Sequence, residues 1–440
     1  MFKLFINDFK IPYEGNNIYK FAKKIFPINR SLTGDGNRLT LKLIKKIIPN
    51  LKIKEIPSKT RVYDWTIPEE WNVNDAYIIN PNGKKICSFK QNNLHLVGYS
   101  QPINKSLNLN QLKKHLHFNK SLPSAIPYVV SYYKKNWGFC ISYKEFKKLK
   151  KGNYKVVINS KLSKGSMTYG ELIIPGKIKK EILLSTYICH PSLANNEISG
   201  PSLLTYVGKF LNSLKDRYYT YRLVFHPENI GAIAYISKNF KVLKKNVVAG
   251  YVLSCVGDDR SYSFMPSRNG NSLSDKVAKY VLKNYTKKFQ EFSFLDSGSD
   301  ERRYCAPNIN LPVCSIMRTK YGNYKEYHTS QDNMSLVSNK GFQGAYNIYL
   351  NVIKVLENNH IYITRTKCEP QLGKRDLYPN VSRWPNKKSW SEISKIVNLL
   401  SYADGQNDLI DLSEKIKVRA DDLFNILNKL IKEDLIKKIK

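Results

Sequence analysis

The chain has 440 residues, 42% of them hydrophobic and 12% aromatic, enough to build a buried α/β core with one or two smaller modules and enough to exclude a disordered chain. Seven cysteines spread from Cys87 to Cys368 without a CxxC pair argue against a disulfide framework and a structural zinc ribbon, and fit a reducing cytoplasm. A formal charge of +37 would suit a polyanionic partner, but Lys far outnumbers Arg and is scattered among Asn and Ile, as translation of an AT-rich genome leaves it; a phosphate-gripping site would concentrate Arg, so nucleic acid is admitted but not favoured.

The opening MFKLFINDFKIPYEGN is mixed in polarity and carries no signal-peptide pattern. Lys, Asn or Asp interrupts every apolar cluster before it reaches the roughly 20 residues of a membrane span, so no span and a cytoplasmic location are expected. Residues 17–58 begin with helical periodicity, pass through a turn-rich stretch at 30–36, resume as a helix in RLTLKLIKKIIPNL and end in the strand-like LKIKEIP. This is the first part of an α/β domain, placed at residues 1–62. From 63 to 165 short strands and turns take over, with a Pro81-Asn82-Gly83 hairpin signal inside AYIINPNGKKICSF and further strands in WGFCISYKEFKKL and YKVVINSKL. That stretch reads as a small, mostly β module inserted into the first domain.

Strand and helix alternate again over residues 166–366. Strands are expected at ELIIPG, EILLSTYIC, YRLVFHP, VVAGYVLSCVG and LPVCSIM, with amphipathic helices between and after them. The alternation predicts a central, mainly parallel sheet covered on both faces, with functional groups at the carboxyl ends of its strands. Residues 367–440 hold a Pro/Arg-punctuated linker and three short helical segments with helix-turn-helix spacing, and Leu435-Ile436 leads into a wing strand. This is a winged helix. Acidic residues interspersed in DLIDLSEKIKVRADDLF fit a scaffold or a homo-oligomer contact at least as well as DNA binding.

Three strand ends carry dense polar sequence. His190 leaves a buried strand and is followed within one loop by Glu197, which is how a sheet edge supplies an imidazole and a carboxylate to a metal. Glu228, in His226-Pro227-Glu228-Asn229, is either a general base or a carboxylate at a helix start. The third, Tyr327-His328-Thr329-Ser330-Gln331-Asp332, follows the polar loop Ser297-Gly298-Ser299-Asp300-Glu301-Arg302. So many loop polar groups cost desolvation unless they converge, and convergence is expected. Cys189 and Cys255 read as buried structural thiols, and His95, His115 and His117 as surface or hydrogen-bonded histidines. Asp258, Asp259 and Arg260 suit a solvated turn or a salt-bridged wall, or alternatively recognition of a polar substrate.

The order H…A-x-x-x-x-S-G…E…S-D…H-T-x-x-D resembles the zinc aminopeptidase clan. The words DWTIPEEW, LTGDG, SYYKKNWGFC, STYICHPSLANNEISG, GSDERRYCAP and YHTSQDN span nearly the whole chain. They resemble a bacterial family of aminopeptidase-like proteins, often found among polysaccharide-biosynthesis genes, with an inserted domain and a terminal winged helix. The resemblance implies an aminopeptidase-like three-layer α/β fold. It implies one zinc ion on His190, Glu197 and His328, with Glu228 activating water. Asn196, Asp300, Arg302 and Tyr327 would support the site or the substrate, and Asp332 would orient His328 or its loop. Asn195 stands where the clan has its bridging Asp, and Val252-Leu253-Ser254-Cys255 lacks the clan's further Asp, so one ion is expected instead of two. The implied function is hydrolysis of a peptide or amide bond in a small substrate, in polysaccharide or modified-sugar metabolism. The alternatives are a non-hydrolytic metal- or ligand-binding protein with a degenerate peptidase site, and a winged-helix DNA-binding regulator.

Overall fold

The computed structural model describes residues 8–378 and 389–439; the rest of the expected linker lies outside the described residues. Helix α1 (Gly15–Ile25) buries Ile18, Phe21, Ala22 and Ile25, the stripe of an amphipathic helix, and α2 (Asp35–Ile47) buries Leu41 and Ile44. Strand β1 (Lys52–Pro57) follows and runs antiparallel to β2 (Ser166–Ile174), with Lys52 opposite Glu171 and Pro57 opposite Ser166. Both ends of the intervening segment therefore open at one place on the main sheet.

The remaining strands are β3 (Glu181–Tyr187), β4 (Thr220–His226), β5 (Val247–Val252), β6 (Ser263–Met265), β7 (Gln290–Glu291) and β8 (Val313–Met317). They complete an eight-stranded sheet in the order β1-β2-β4-β3-β5-β8-β6-β7. The four central strands β4, β3, β5 and β8 are parallel, so their carboxyl ends share one edge. Every residue of β3 is buried, which is why its sequence is a near-continuous apolar run without alternation. Side chains still alternate between the faces. Leu184 packs with α3 (Ser199–Ser213), α5 (Leu273–Tyr285) and α6 (Asn339–Asn358), and its neighbour Leu183 joins the separate core under α4 (Ile230–Asn246). The architecture is the mainly parallel sheet covered on both faces that the strand–helix alternation predicts, in the aminopeptidase-like layered form that the resemblance implies.

Between β1 and β2, strands Lys85–Ile86, Glu70–Ile79, Asn153–Ser163 and Ile103–Asn108 form, in that order, an antiparallel sheet around Trp71, Ile78, Tyr154 and Val156. The predicted hairpin turn is present, with Gly83 at φ +77°, a conformation costly for other residues. WGFCISYKEFKKL differs from expectation. It yields a strand only at Phe139–Cys140 and then a short helix, Tyr143–Phe146, because the Ser142 hydroxyl accepts from the Glu145 amide and caps a helix start.

At the C-terminal end Ile361–Thr364 pairs with Asp404–Asp408 and Ile436–Lys438, and helices Ser389–Tyr402, Leu409–Ile416 and Ala420–Lys432 complete a winged helix. It is docked on α5. Tyr280 Oη lies 2.7 Å from Ser413 Oγ and accepts from the Ala420 amide, Lys276 Nζ reaches Asp408 and Asp411 at 2.7 Å each, and Tyr285 bonds Asp421. No helix among the described residues is long and apolar enough to cross a membrane.

Candidate active site

The parallel strands deliver their polar ends to one place. Beyond β3 the chain reaches Cys189 and His190 and then turns through residues Ala194–Ile198 as a π-helical turn, in which the Ile198 amide bonds the Leu193 carbonyl five residues back. That extra residue per turn brings Glu197 back on His190. Glu197 Oε2 is 2.7 Å from His190 Nδ1, and Glu197 Oε1 is 3.8 Å from Nε of Arg30. Arg30 is 1% exposed; its guanidinium also donates to the carbonyls of Ile25 at 2.7 Å and Pro191 at 3.3 Å. Burial would lower the His190 pKa, but the charge and hydrogen bond of Glu197, with Glu228 behind them, raise it overall.

Two carboxamide and carboxylate groups hold the turn. Asp332 accepts from the Asn195 amide at 2.6 Å and the Asn196 amide at 3.0 Å, and Tyr324 Oη donates to it at 3.0 Å. Burial pushes its pKa up to about 6 in spite of these bonds. Asn195 Oδ1 accepts from the amides of Gly257 and Asp258, and its Nδ2 donates to Asp258 at 2.9 Å. A carboxylate in that position would face Asp258 at hydrogen-bond distance, so the Asn is built into the wall. Gly200, the second residue of α3, lies where a Cβ would sit 2.3 Å from both the Leu253 carbonyl and Thr186 Oγ1. The Ser-Gly step therefore permits α3 to lie against the strand ends.

From β4, Glu228 brings Oε2 to 3.7 Å from His190 Nε2, while its other oxygen accepts from Ser299 and its amide bonds Cys189 Sγ at 3.1 Å. Burial, with the charge of Glu197, raises its pKa above the usual carboxylate value, against the opposing pull of His190 and Ser299. Asp300 accepts from the Asn229 amide at 2.7 Å, which fixes Asn229 at a left-handed φ of +60°. Its Oδ2 lies 3.8 Å from His226 Nδ1 and makes no hydrogen bond among the described residues, and burial followed by the charge of Glu228 drives its pKa well above normal.

His328 comes from the loop after β8, also left-handed at φ +55°, and stacks on Tyr327 with ring centroids 3.9 Å apart. Its Nε2 is buried and makes no hydrogen bond among the described residues, and burial holds its pKa down to about 3, so the ring is neutral. Tyr128, from the insertion, lies 5.1 Å from the His190 ring and 5.2 Å from the His328 ring. It is held there because its amide donates to the His328 carbonyl at 2.8 Å, the Ser330 amide donates to the Ile126 carbonyl, and Pro127 bridges to Thr329. Arg30, Tyr128, Cys189, His190, Glu228 and His328 all line one cavity of about 170 Å³.

The structure thus brings His190, Glu197, Glu228 and His328 to one place. Glu197 meets His190 at Nδ1, on the opposite ring nitrogen from Glu228. His190 and His328 have ring centroids 5.6 Å apart. The one trio of metal-ligand types with donor atoms all within 4.8 Å, among the described residues, is Cys189, His190 and Glu197, which does not include His328. Burial keeps the Cys189 thiol protonated, and Arg30 already supplies a positive charge beside Glu197, so that trio is a poor cation site as it stands. Asp332 bonds the turn of Glu197 and, through Tyr324 and Thr329, ties it to the loop that bears His328. Asn196 donates to Tyr187 Oη at 3.2 Å, and Arg302 turns away, bonding the carbonyls of Ser297 and Leu295 in its own loop. Asp258 is buried, and Arg260 pairs with Glu326, giving a salt-bridged wall. Arg30, Tyr128 and Ser299 are site residues that the sequence reading did not single out. Only for Arg30 was there a signal, an arginine set between Ile28 and Leu32 with no acid in the same turn.

Residues 19–359 match the family described as Domain of unknown function (DUF4910), and residues 360–438 match a winged helix-turn-helix family. A Clostridium acetobutylicum protein, provisionally named as a polysaccharide biosynthesis protein with an aminopeptidase-like domain, is 43% identical over 423 residues, covering 94% of this chain and 95% of that one. The crystal structure of a provisionally named peptidase from Clostridium acetobutylicum superposes with a TM-score of 0.90 at 40% identity, covering 97% and 96% of the two chains. A zinc aminopeptidase from Bacillus subtilis shares the fold, with a TM-score of 0.59 at 11% identity over 79% of this chain and 96% of that one.

Proposed function

The chain belongs to the DUF4910 family, and we propose that it is an aminopeptidase-like hydrolase that cleaves a peptide or other amide bond in a small substrate. The observation that carries this reading is the convergence of His190, Glu228 and His328, from three separate strand ends, on one cavity. Polar groups gathered from such distant segments and left partly unpartnered cost stability that a purely structural site has no reason to bear. The name of the Clostridium relative supports a substrate in which the amide belongs to a sugar or glycan precursor.

The residues fit one divalent ion. A histidine that ligates a metal through one ring nitrogen commonly gives the other to a carboxylate. His190 gives Nδ1 to Glu197 and keeps Nε2 toward Glu228, and His328 offers a buried, unpartnered Nε2 on a neutral ring. His190 and His328 would hold the ion, and Glu197 would steady His190 from behind, a different role from the ligand that the sequence pattern implies. When bound, zinc supplies a Lewis acid that lowers the pKa of water to about 7 and stabilises a developing oxyanion.

Glu228 is the acid/base. Its raised pKa suits a group that takes a proton from the attacking water and passes it to the leaving nitrogen. Ser299 fixes the carboxylate through one oxygen and leaves Oε2 facing the cavity. Tyr128 covers both imidazoles and limits water. The test is hydrolysis of aminoacyl p-nitroanilides and N-acylated amino sugars by zinc-supplemented protein, with metal content measured by elemental analysis. Glu228→Gln is expected to lower kcat by about 10²–10⁴, and His190→Ala and His328→Ala to lose the metal. A wild type that takes up no metal and turns over none of these substrates would overturn the reading. A second reading, binding without hydrolysis, is favoured by Asn195 and Ser254 standing where the clan places carboxylates; it predicts saturable binding with no turnover.

A further inference from the structure

Beside the catalytic cavity lies a second one of about 520 Å³, and Tyr132 is in the wall of both. Aromatic rings lead from the first to the second. Trp71, in the wall of the catalytic cavity, stacks on Tyr99 at 5.5 Å; Tyr99 meets Tyr132 edge-on at 6.3 Å; and Tyr132 meets Tyr133 at 4.5 Å. Tyr133 is 53% exposed, yet it is not free to move. Its hydroxyl donates to the Thr66 carbonyl at 2.6 Å, and its ring lies 6.2 Å from that of Trp65. A large ring fixed at the surface offers an apolar face at little further cost in rotamer entropy, which makes it a stacking platform.

The charge on the same walls is mostly positive. Lys59, Lys134 and Lys135 line this cavity, with Glu69 as the lone acid of the lining, and among the described residues none of the three lysines forms a salt bridge. Glu69 and Gln101 add hydrogen-bond acceptors and a donor suited to hydroxyl groups. Ammonium groups that form no salt bridge among the described residues, set around a fixed ring, complement a molecule with an apolar ring face, several hydroxyls and a negative charge. The volume is within the range of small-ligand sites and exceeds that of the catalytic cavity, so the larger part of a bound molecule would rest here.

We infer that this groove is a subsite for an anionic saccharide, a hexose unit carrying a carboxylate or a phosphate, which positions the attached amide over Glu228. This deepens the hydrolase reading and rests on it for the position of the scissile bond. Neither the stacking face nor the lysines belongs to the catalytic cavity, so the two assignments fail separately.

The experiment is titration calorimetry of full-length Glu228→Gln protein, in which hydrolysis is disabled, with trigalacturonic acid, glucose 1-phosphate and neutral maltotriose as probes. At least one anionic probe is expected to bind in the millimolar range or tighter, with maltotriose roughly tenfold weaker or worse. Preference for trigalacturonic acid identifies the carboxylate source, and preference for glucose 1-phosphate the phosphate source. Tyr133→Ala and the double variant Lys134→Ala/Lys135→Ala are each expected to weaken the anionic probe by about tenfold or more while the melting temperature is retained. Failure of both anionic probes, equal binding of maltotriose, or unchanged affinity in both folded variants would overturn the subsite. An active wild type that binds no saccharide would overturn the subsite alone, and a saccharide-binding wild type with no amide hydrolysis would overturn the hydrolase reading alone.

Discussion

Arg30 is the counter-charge on which the Glu197 side of the site depends, and its removal has a calculable cost. The side chains of Arg30 and Glu197 are both wholly buried, 3.8 Å apart, and neither Arg30 Nε nor Glu197 Oε1 has a hydrogen bond of its own. Arg30→Met keeps most of the volume but strips Glu197 of its guanidinium partner, leaving it the His190 imidazole, and removes one of the two donors to each of the carbonyls of Ile25 and Pro191. Breaking a buried pair by removing one partner costs about 3–5 kcal/mol. With an unfolding entropy of about 2.1 cal/mol/K per residue over the roughly 340 residues of the main domain and its insertion, about 4 kcal/mol corresponds to a melting temperature lower by about 6 °C. Differential scanning calorimetry of wild type, Arg30→Met, Glu197→Gln and the double variant closes a double-mutant cycle. The double variant is expected to melt above Arg30→Met, because neutralising Glu197 removes the uncompensated charge. If it melts lower, by the sum of the two single losses, the pair is not coupled and the reasoning fails.

Gly200→Ala would force a Cβ to 2.3 Å from the Leu253 carbonyl and Thr186 Oγ1; a loss of about 1–3 kcal/mol in urea denaturation is expected, together with reduced amide hydrolysis as the Glu197 turn shifts. Burial raises the folded-state pKa of Asp332 to about 6 against an ordinary 3.8, so the folded protein keeps a proton that the unfolded chain has already lost, and the contribution of this group to stability is fullest below pH 4 and declines as pH rises through 6. Between pH 5 and 7 this contributes a fall of about 1 kcal/mol, and the urea midpoint of Asp332→Asn, measured with chelator present, is expected to fall less over that interval than that of wild type. Lys276→Ala removes the partly exposed link to Asp408 and Asp411; a cost of about 1 kcal/mol is expected, visible as faster amide hydrogen exchange in Leu409–Ile416, and unchanged exchange there would show that the apolar contacts alone dock the winged helix.

The sheet was legible because its signals are local. The run in EILLSTYIC and the helix patterns after it report burial on two faces and on one, and neighbouring residues carry each pattern in full. The motif residues were legible in the same way, since His190, Glu228 and His328 each follow a strand. What the sequence withheld depends on placement between distant segments. Arg30 meets Glu197 across 167 positions of chain, and Tyr128 meets His328 across 200, and no periodicity links such pairs. The side of His190 that Glu197 approaches is set by one π-helical turn, whose hydrogen bonding no residue in ANNEI announces. The strand Ile361–Thr364 is likewise too short for its partners, Asp404–Asp408 and Ile436–Lys438, to be read from sequence.

The insertion is fastened to the loop that bears His328 by backbone bonds at Ile126, Tyr128 and Ser330, and by the bridge from Pro127 to Thr329. It therefore behaves as a porch built over the doorway of the α/β domain. On the proposed function, molecules entering the cavity would pass a module that supplies neither the acid/base nor an imidazole. Exchanging the porch between relatives while keeping residues 126–130 would alter which molecules are admitted and leave the bond-breaking groups where they are. Within the family, substrate preference would then be free to vary through the segment between β1 and β2 without touching the strand ends.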